Sequence, residues 1–210
     1  MPTRTHDKLD LYKLHKAEYT APKKPALIET ESARYLAIDG RGGPGDETFQ
    51  AKVAGLYGMA YTAKFNSKLA GRDYVVCKLE GLYWTGDGTS SLDDTPKDQW
   101  RWKLLMRVPD FMTAGHLEDA RRVLRDRGKE GDFDDVVLET IDEGLCVQML
   151  HVGPYEHERA AIDAMMSFAE AEGLRPHGRH HEIYLNDPRR VPPEKLRTIL
   201  RQPVERAAAR

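Results

Sequence analysis

Apolar residues at three- and four-residue spacing predict the helices of this chain. Phe49, Val53, Leu56, Tyr57, Ala60 and Tyr61 mark one face of a helix over about 46–64, with Asp46, Glu47 and Thr48 as the acidic first turn that helix N-termini favour. Leu117, Ala120 and Leu124 mark a basic amphipathic helix over 115–129. A further helix over about 156–172 is closed by Gly173-Leu174. Strand-like runs lie at Arg34–Asp39, Tyr74–Trp84 and Trp100–Val108. Val136–Val152 holds two more around the Asp142-Glu143-Gly144 turn, and His180–Leu185 another. Asp10–Leu14 reads as a short helix, and Ala21-Pro22-Lys23-Lys24-Pro25 forces the chain out of it, so residues 1–32 read as a lead-in. A last short helix is expected from Pro192-Pro193 to just before Pro203.

The order of elements repeats. A strand, a Gly-Pro turn (Gly43-Pro44, then Gly153-Pro154), a helix with an acidic start, and a strand carrying Glu shortly before Tyr (Glu80 and Tyr83, then Glu182 and Tyr184) occur twice. A helix crossing one face of a few strands leaves the other face needing cover. Two such units are therefore expected to pair as one α+β domain. The expectation is a tandem β-α-β-β repeat with pseudo-twofold symmetry, an antiparallel sheet with helices on one face, and a ligand cleft between the repeats. The domain spans 33–204: repeat one 33–112, linking helix 113–130 and repeat two 131–204, with 205–210 as a tail.

Composition narrows the class. The 210 residues are 40% hydrophobic and 31% charged, and 32 Lys+Arg against 34 Asp+Glu leave a formal charge of −2, so no basic field argues for nucleic acid. Met1–Lys13 lacks the apolar core of a signal peptide, and no apolar run has membrane-spanning length. Cys77 and Cys146, each inside an apolar run, make no disulfide framework. A reduced, cytoplasmic protein is expected. The basic C-terminal residues, Arg189 to Arg210, are interspersed with Asp187, Glu194 and Glu205 and read as a solvated face.

Gly40-Arg41-Gly42-Gly43-Pro44-Gly45 has the letters of a dinucleotide loop, but Pro44 removes an amide donor and Asp46-Glu47 put negative charge where a pyrophosphate would sit. No nucleotide cofactor is expected. His177, His180, His181 and Glu182 resemble a metal cluster, yet on a strand His181 faces away from His180 and Glu182. They read as surface and interface histidines, with no metal.

A carboxylate in mid-strand is disfavoured unless paired, solvated or functional. Glu182 and Glu80 both hold such positions. Ile183 and Leu185 are expected to face the helix, leaving Glu182 and Tyr184 to the cleft. Tyr57 and Tyr61 lie one helical turn apart, Tyr83-Trp84 ends the first Glu-bearing strand, and Trp100 and Trp102 share a face of the next. Aromatic walls around a carboxylate suit flat, apolar, often cationic molecules.

Leu150-His151-Val152-Gly153-Pro154-Tyr155, followed after a helix by His181-Glu182-Ile183-Tyr184-Leu185-Asn186-Asp187-Pro188, resembles the GyrI-like small-molecule-binding proteins. Leu79-Glu80-Gly81-Leu82-Tyr83-Trp84 and Arg107-Val108-Pro109-Asp110-Phe111 resemble the stand-alone branch of that family. The resemblance runs from about Ala33 to Val204. It implies binding of xenobiotic, multidrug-type compounds, as in the effector-sensing half of transcription regulators, although no DNA-binding domain is expected in 1–32. By motif position it carries over Glu182, Tyr184, Glu80 and Trp84; Tyr57, Tyr61, Trp100, Trp102 and Tyr155 follow from periodicity. It also implies an alternative, hydrolysis of cyclopropane-bearing DNA-alkylating compounds, with Glu182 or Glu80 as base and Tyr184 or Tyr57 as donor. A third alternative is a gyrase-interacting protein. The expected partners are lipophilic aromatic small molecules, not nucleic acid or membrane.

Overall fold

A computed structural model describes residues 8–86, 92 and 94–207. The start of the lead-in, the middle of the loop over 85–98 and Arg210 of the basic segment lie outside the described residues. The fold is α+β. Its helices are α1 (Leu11–Leu14), α2 (Glu47–Leu69), α3 (Ala114–Asp126) and α4 (Arg159–Ala171). Its strands are β1 (Ala26–Glu29), β2 (Ala33–Arg41), β3 (Glu80–Thr85), β4 (Trp100–Arg107), β5 (Val137–Ile141), β6 (Leu145–Val152), β7 (Leu174–Pro176), β8 (His180–Tyr184) and β9 (Arg197–Arg206).

The chain divides into two compact units. One holds the described residues of Met1–Leu14, Ala33–Cys77 and Thr85–Ile141; the other holds His15–Ser32, Lys78–Trp84 and those of Asp142–Arg210. In the first, β2 pairs antiparallel with both β4 and β5. The glycine-rich turn after β2 ends on Asp46, whose carboxylate accepts the Phe49 N–H at 2.7 Å and caps α2. That side chain occupies the position an anion would need, which removes the dinucleotide reading. Gly40 exists for Trp102: a Cβ there would lie 2.0 Å from the indole ring. The ring fills the space above the Gly40 backbone, is fully buried, and meets Phe49 edge-on at 4.9 Å.

In the second unit the strand order is β1-β6-β9-β8-β3, with β7 also pairing β9, all antiparallel. Met165 and Ala169 of α4 pack on Val147 and Met149 of β6 and Leu200 and Val204 of β9 to form its core.

The structure corrects several expectations. The segment after Pro192 is a single turn, Pro193–Lys195, followed by the ten-residue strand β9, not a helix. Pairing with β6 on one side and β8 on the other overrides the local helical preference, since strand formation is decided by neighbours. Pro203 is accommodated beyond the stretch that pairs with β8. The strand expected from Tyr74 begins only at Glu80; upstream, Tyr74 makes an isolated bridge to Leu9. Residues 15–32 are no loose lead-in: they pack in the second unit and supply β1.

Candidate functional site

Register fixes which side chains of the second unit can meet. Opposed residues in an antiparallel pair share a face, and faces alternate along each strand. Gly81 opposes Glu182 and Tyr83 opposes His180, while Tyr184 opposes Thr198 and Glu182 opposes Leu200. Tyr83, Glu182, Tyr184, His180 and Thr198 therefore share one face, and through Leu200 it is the face α4 covers. Glu80 opposes Ile183 and Leu82 opposes His181 on the other. This reverses the expectation that Ile183 faces the helix. Apolar alternation along β8 misleads because its second inward face is built from ionic partners.

On the α4 face, the Tyr184 hydroxyl donates to Glu182 Oε2 at 2.7 Å, and the Tyr83 and Tyr184 oxygens lie 2.5 Å apart. With Tyr184 donating to the carboxylate, Tyr83 donates in turn, so both phenolic protons run toward Glu182. Burial, followed by the charge of Glu182, holds both phenols well above their ordinary pKa. Gly81 makes the chain possible. A Cβ there would lie 2.8 Å from Tyr83 Cε2 and 2.9 Å from its hydroxyl, so only glycine lets the ring lie back along its own strand. Tyr155, in the turn that opens α4, meets the Tyr184 ring edge-on at 5.8 Å and is 36% exposed, giving the site an accessible aromatic wall. Burial pushes its phenol up to about 12.

Glu158, which the sequence placed in the acidic helix start and gave no chemical role, sits at the start of α4 and is 5% exposed. Burial and then the charge of Glu182 hold its carboxyl far above the ordinary carboxylate range. The Thr198 hydroxyl beside it acts in the opposite direction, and His180 Nε2 lies 3.6 Å from Glu182 Oε1, but Glu158 Oε1, the Thr198 hydroxyl and His180 Nε2 are buried with no hydrogen bond of ordinary geometry. The sequence signal for Glu158 is its place in the acidic helix start of the second repeat, Glu156 to Glu158, just after the Gly-Pro-Tyr turn.

The opposite face holds a separate ionic network. His181, fully buried, bridges Glu143 (Nδ1 to Oε2, 2.9 Å) and Glu80 (Nε2 to Oε2, 3.0 Å). Glu80 also accepts from the Tyr19 hydroxyl at 2.9 Å. The Arg201 guanidinium contacts Glu143 at 3.2 Å and donates to the Glu18 carbonyl at 2.6 Å and to Gln148 Oε1 at 3.2 Å. Burial opposes the charge on His181, but Glu143 and Glu80 outweigh it and raise the imidazole to about 9. Glu143 is driven down to about 2 against its own burial by His181 and Arg201. His181 is thus no surface histidine; a buried charge is tolerated because it is paired on both sides.

The candidate residues divide accordingly. Glu182, Tyr184, Tyr83 and Tyr155 come together. Glu80 lies on the opposite face, inside the ionic network, and alternation along β3 places Trp84 on that face too, its ring stacked by Arg179 at 3.7 Å. Tyr57, Tyr61, Trp100 and Trp102 belong to the first unit. There Tyr57 and Tyr61 stack on each other at 6.2 Å, Trp100 donates to the Thr95 carbonyl at 2.9 Å, and Trp102 is core. Among the described residues no group of His, Cys, Asp or Glu is arranged to hold a metal ion, and no helix is long and apolar enough to cross a membrane. Cys77 and Cys146 are free and buried.

Comparison with known proteins places this arrangement. Residues 123–205 match the profile of the GyrI-like small molecule binding domain. An uncharacterized conserved protein from Listeria innocua is 41% identical, the alignment covering 94% of this chain and 100% of that one with a TM-score of 0.88. A hydrolase from Listeria innocua is 39% identical over 94% of this chain and 100% of its own, with a TM-score of 0.84. The C-terminal domain of EcmrR, 16% identical over 88% of this chain and 98% of its own with a TM-score of 0.55, shares the fold. Among curated proteins no sequence matches. The strand-borne glutamate with its tyrosines lies within the matched segment apart from Tyr83, and full-length relatives carry the likeness to the rest: this chain belongs to the GyrI-like small-molecule-binding family.

Proposed function

We propose that the protein binds flat, lipophilic aromatic compounds against the Tyr155 and Tyr184 rings and hydrolyses those that are electrophilic, such as a cyclopropane conjugated to a carbonyl. The observation that carries this reading is the hydrogen-bonded run Tyr83–Tyr184–Glu182, which fixes one carboxylate oxygen while the other, Oε1, faces His180 Nε2 at 3.6 Å, beyond hydrogen-bond length. A base must be held in place to take a proton from water at the moment of attack. Two phenols lock Glu182 in that way, and the surrounding rings seat a planar substrate. A relative 39% identical over its full length is named a hydrolase, which supports turnover over binding alone.

In the reaction, a water oxygen bonds to a cyclopropane carbon and passes its proton to Glu182. The strained C–C bond breaks, and its electron pair moves through the conjugated system onto the carbonyl oxygen, which is protonated. The test is ring opening of a spirocyclopropyl cyclohexadienone to its phenol, followed by absorbance and chromatography. Glu182→Gln is expected to lower kcat by about 100-fold or more, the scale of a lost general base. Tyr184→Phe, which removes a hydrogen bond to a charged group, is expected to cost about tenfold or more. Wild-type turnover that survives Glu182→Gln ends this assignment. The second reading, binding without chemistry, is favoured by the negative charge beside the rings. It is supported instead if a planar dye cation binds tightly, loses about tenfold or more in affinity in Glu182→Gln, and no compound is turned over.

A further inference from the structure

Buried polar side-chain atoms almost always find a partner, so an orphan marks a place where water or a ligand group completes the bonding. On the α4 face Glu158 Oε1, the Thr198 hydroxyl and His180 Nε2 make no hydrogen bond of ordinary geometry, although Thr198 lies beside the Glu158 carboxyl and His180 Nε2 is 3.6 Å from Glu182 Oε1. They belong to different elements (the start of α4, β9 and β8) and lie on the face that carries Glu182. Glu158 is 5% exposed, it feels the charge of Glu182, and the buried phenol of Tyr83 feels its own. Ring opening needs a donor for the developing oxyanion as well as a base for the water. The tyrosines are poorly placed to be that donor, because their protons already point at Glu182.

We infer that Glu158 is the acid of this site, giving its proton to the substrate's carbonyl oxygen while Glu182 takes one from the attacking water. The step balances: the C–O bond forms as the cyclopropane C–C bond breaks, the electron pair ends on the carbonyl oxygen with the Glu158 proton, and the water proton ends on Glu182. One proton passing from Glu182 back to Glu158, directly or through solvent, restores the starting state. The inference rests on the hydrolytic reading above. Its physical basis is a general one: two carboxyls in unlike surroundings hold unlike protonation states and divide the roles of acid and base. Burial and the adjacent Glu182 keep Glu158 protonated at neutral pH. The other titratable groups that it interacts with are Glu182 of β8, Tyr83 of β3 and Tyr155 of the preceding turn.

The experiment is a kcat–pH profile for the spirocyclopropyl cyclohexadienone with wild type, Glu158→Gln and Glu158→Asp. Wild type is expected to lose activity on an alkaline limb as Glu158 ionises. Glu158→Gln is expected to lower kcat about 100-fold with KM within about threefold, and to lack that limb. Glu158→Asp, which keeps an acid, is expected to retain the limb at reduced kcat. Retention of the alkaline limb in Glu158→Gln, or kcat within about threefold of wild type, overturns the assignment and leaves hydrolysis at Glu182 standing. A wild type that does not open the ring overturns both. A carboxyl NMR titration of wild type against Glu158→Gln gives a reading independent of turnover: a Glu158 signal titrating in the ordinary carboxylate range refutes the donor role.

Discussion

At the scale of single residues, the site depends on a hydrogen atom as much as on its functional groups. Gly81 carries no chemistry, yet its missing Cβ leaves the space in which the Tyr83 ring lies, and that ring positions the hydroxyl which meets Tyr184. Tyr83 is 3% exposed, so it has little room to yield. Gly81→Ala is therefore expected to cost about 1–3 kcal/mol in urea denaturation, the scale of overpacking. It and Tyr83→Phe are both expected to reduce ligand affinity or turnover, because both uncouple Tyr83 from Tyr184. An alanine variant with wild-type stability and activity would show that the ring is not held where we describe it. Glu182 and Tyr184 were legible as a pair, since alternate strand residues share a face whatever the pairing. Tyr83 could be joined to them only once β3 was registered against β8.

At the scale of elements, β8 is gripped from both sides. On one face it presents Glu182 and Tyr184; on the other, His181 anchors residues 15–32 through Glu80 and Tyr19. Arg201 and Gln148 complete the anchor by binding that segment's carbonyls: Arg201 takes Glu18, and the Gln148 amide donates to Ala17 and Thr20 at 3.2 and 3.3 Å. The planar guanidinium reaches Glu143, Gln148 and Glu18 at once, which an ammonium cannot reproduce. Arg201→Lys is expected to accelerate amide exchange in 15–32 selectively, with little change in the α2 amides of the first unit. Uniform acceleration throughout the chain would mean that the network supports global stability and not the docking of this segment. Apolar patterning gave no hint of the docking, because its contacts are ionic and backbone-mediated, and Pro22 and Pro25 made the stretch read as an extended lead-in. Pro22 instead offers its carbonyl to the Leu150 N–H at 2.7 Å.

At the scale of the whole molecule, the buried charges set a pH window for stability. His181 is raised from 6.5 to about 9, so its contribution is complete below pH 6.5 and disappears as pH climbs through 9. Glu143 is lowered from 4.5 to about 2, so its contribution is complete above pH 4.5 and disappears as pH falls through 2. Glu158 is raised, so its burial costs stability increasingly above pH 4.5, where the unfolded chain ionises it and the folded chain resists. The melting temperature is expected to peak between about pH 4.5 and 6.5 and to decline on both sides. Glu158→Gln should raise it at pH 8 and leave it nearly unchanged at pH 4, the mark of a functional group kept at the expense of stability. Equal melting temperatures for the two proteins at pH 8 would show that Glu158 ionises freely.

The sequence by itself determined whatever local periodicity encodes: α2, α3 and α4, the strands around Glu182, and the shared face of Glu182 and Tyr184. A repeat of 3.6 or 2 needs no knowledge of distant chain. It also carried the family, because the motifs around Gly153-Pro154 and His181 to Pro188 are contiguous. Tertiary structure alone decided β9, where pairing on both edges prevailed over helical preference. It decided as well that His181 is a buried cation, that Glu80 neutralises it on the face away from Glu182, and that Glu158 is buried within reach of Glu182's charge. Those outcomes depend on strand register and on which segment packs where, and the partners that fix a charge in the interior lie far away along the chain.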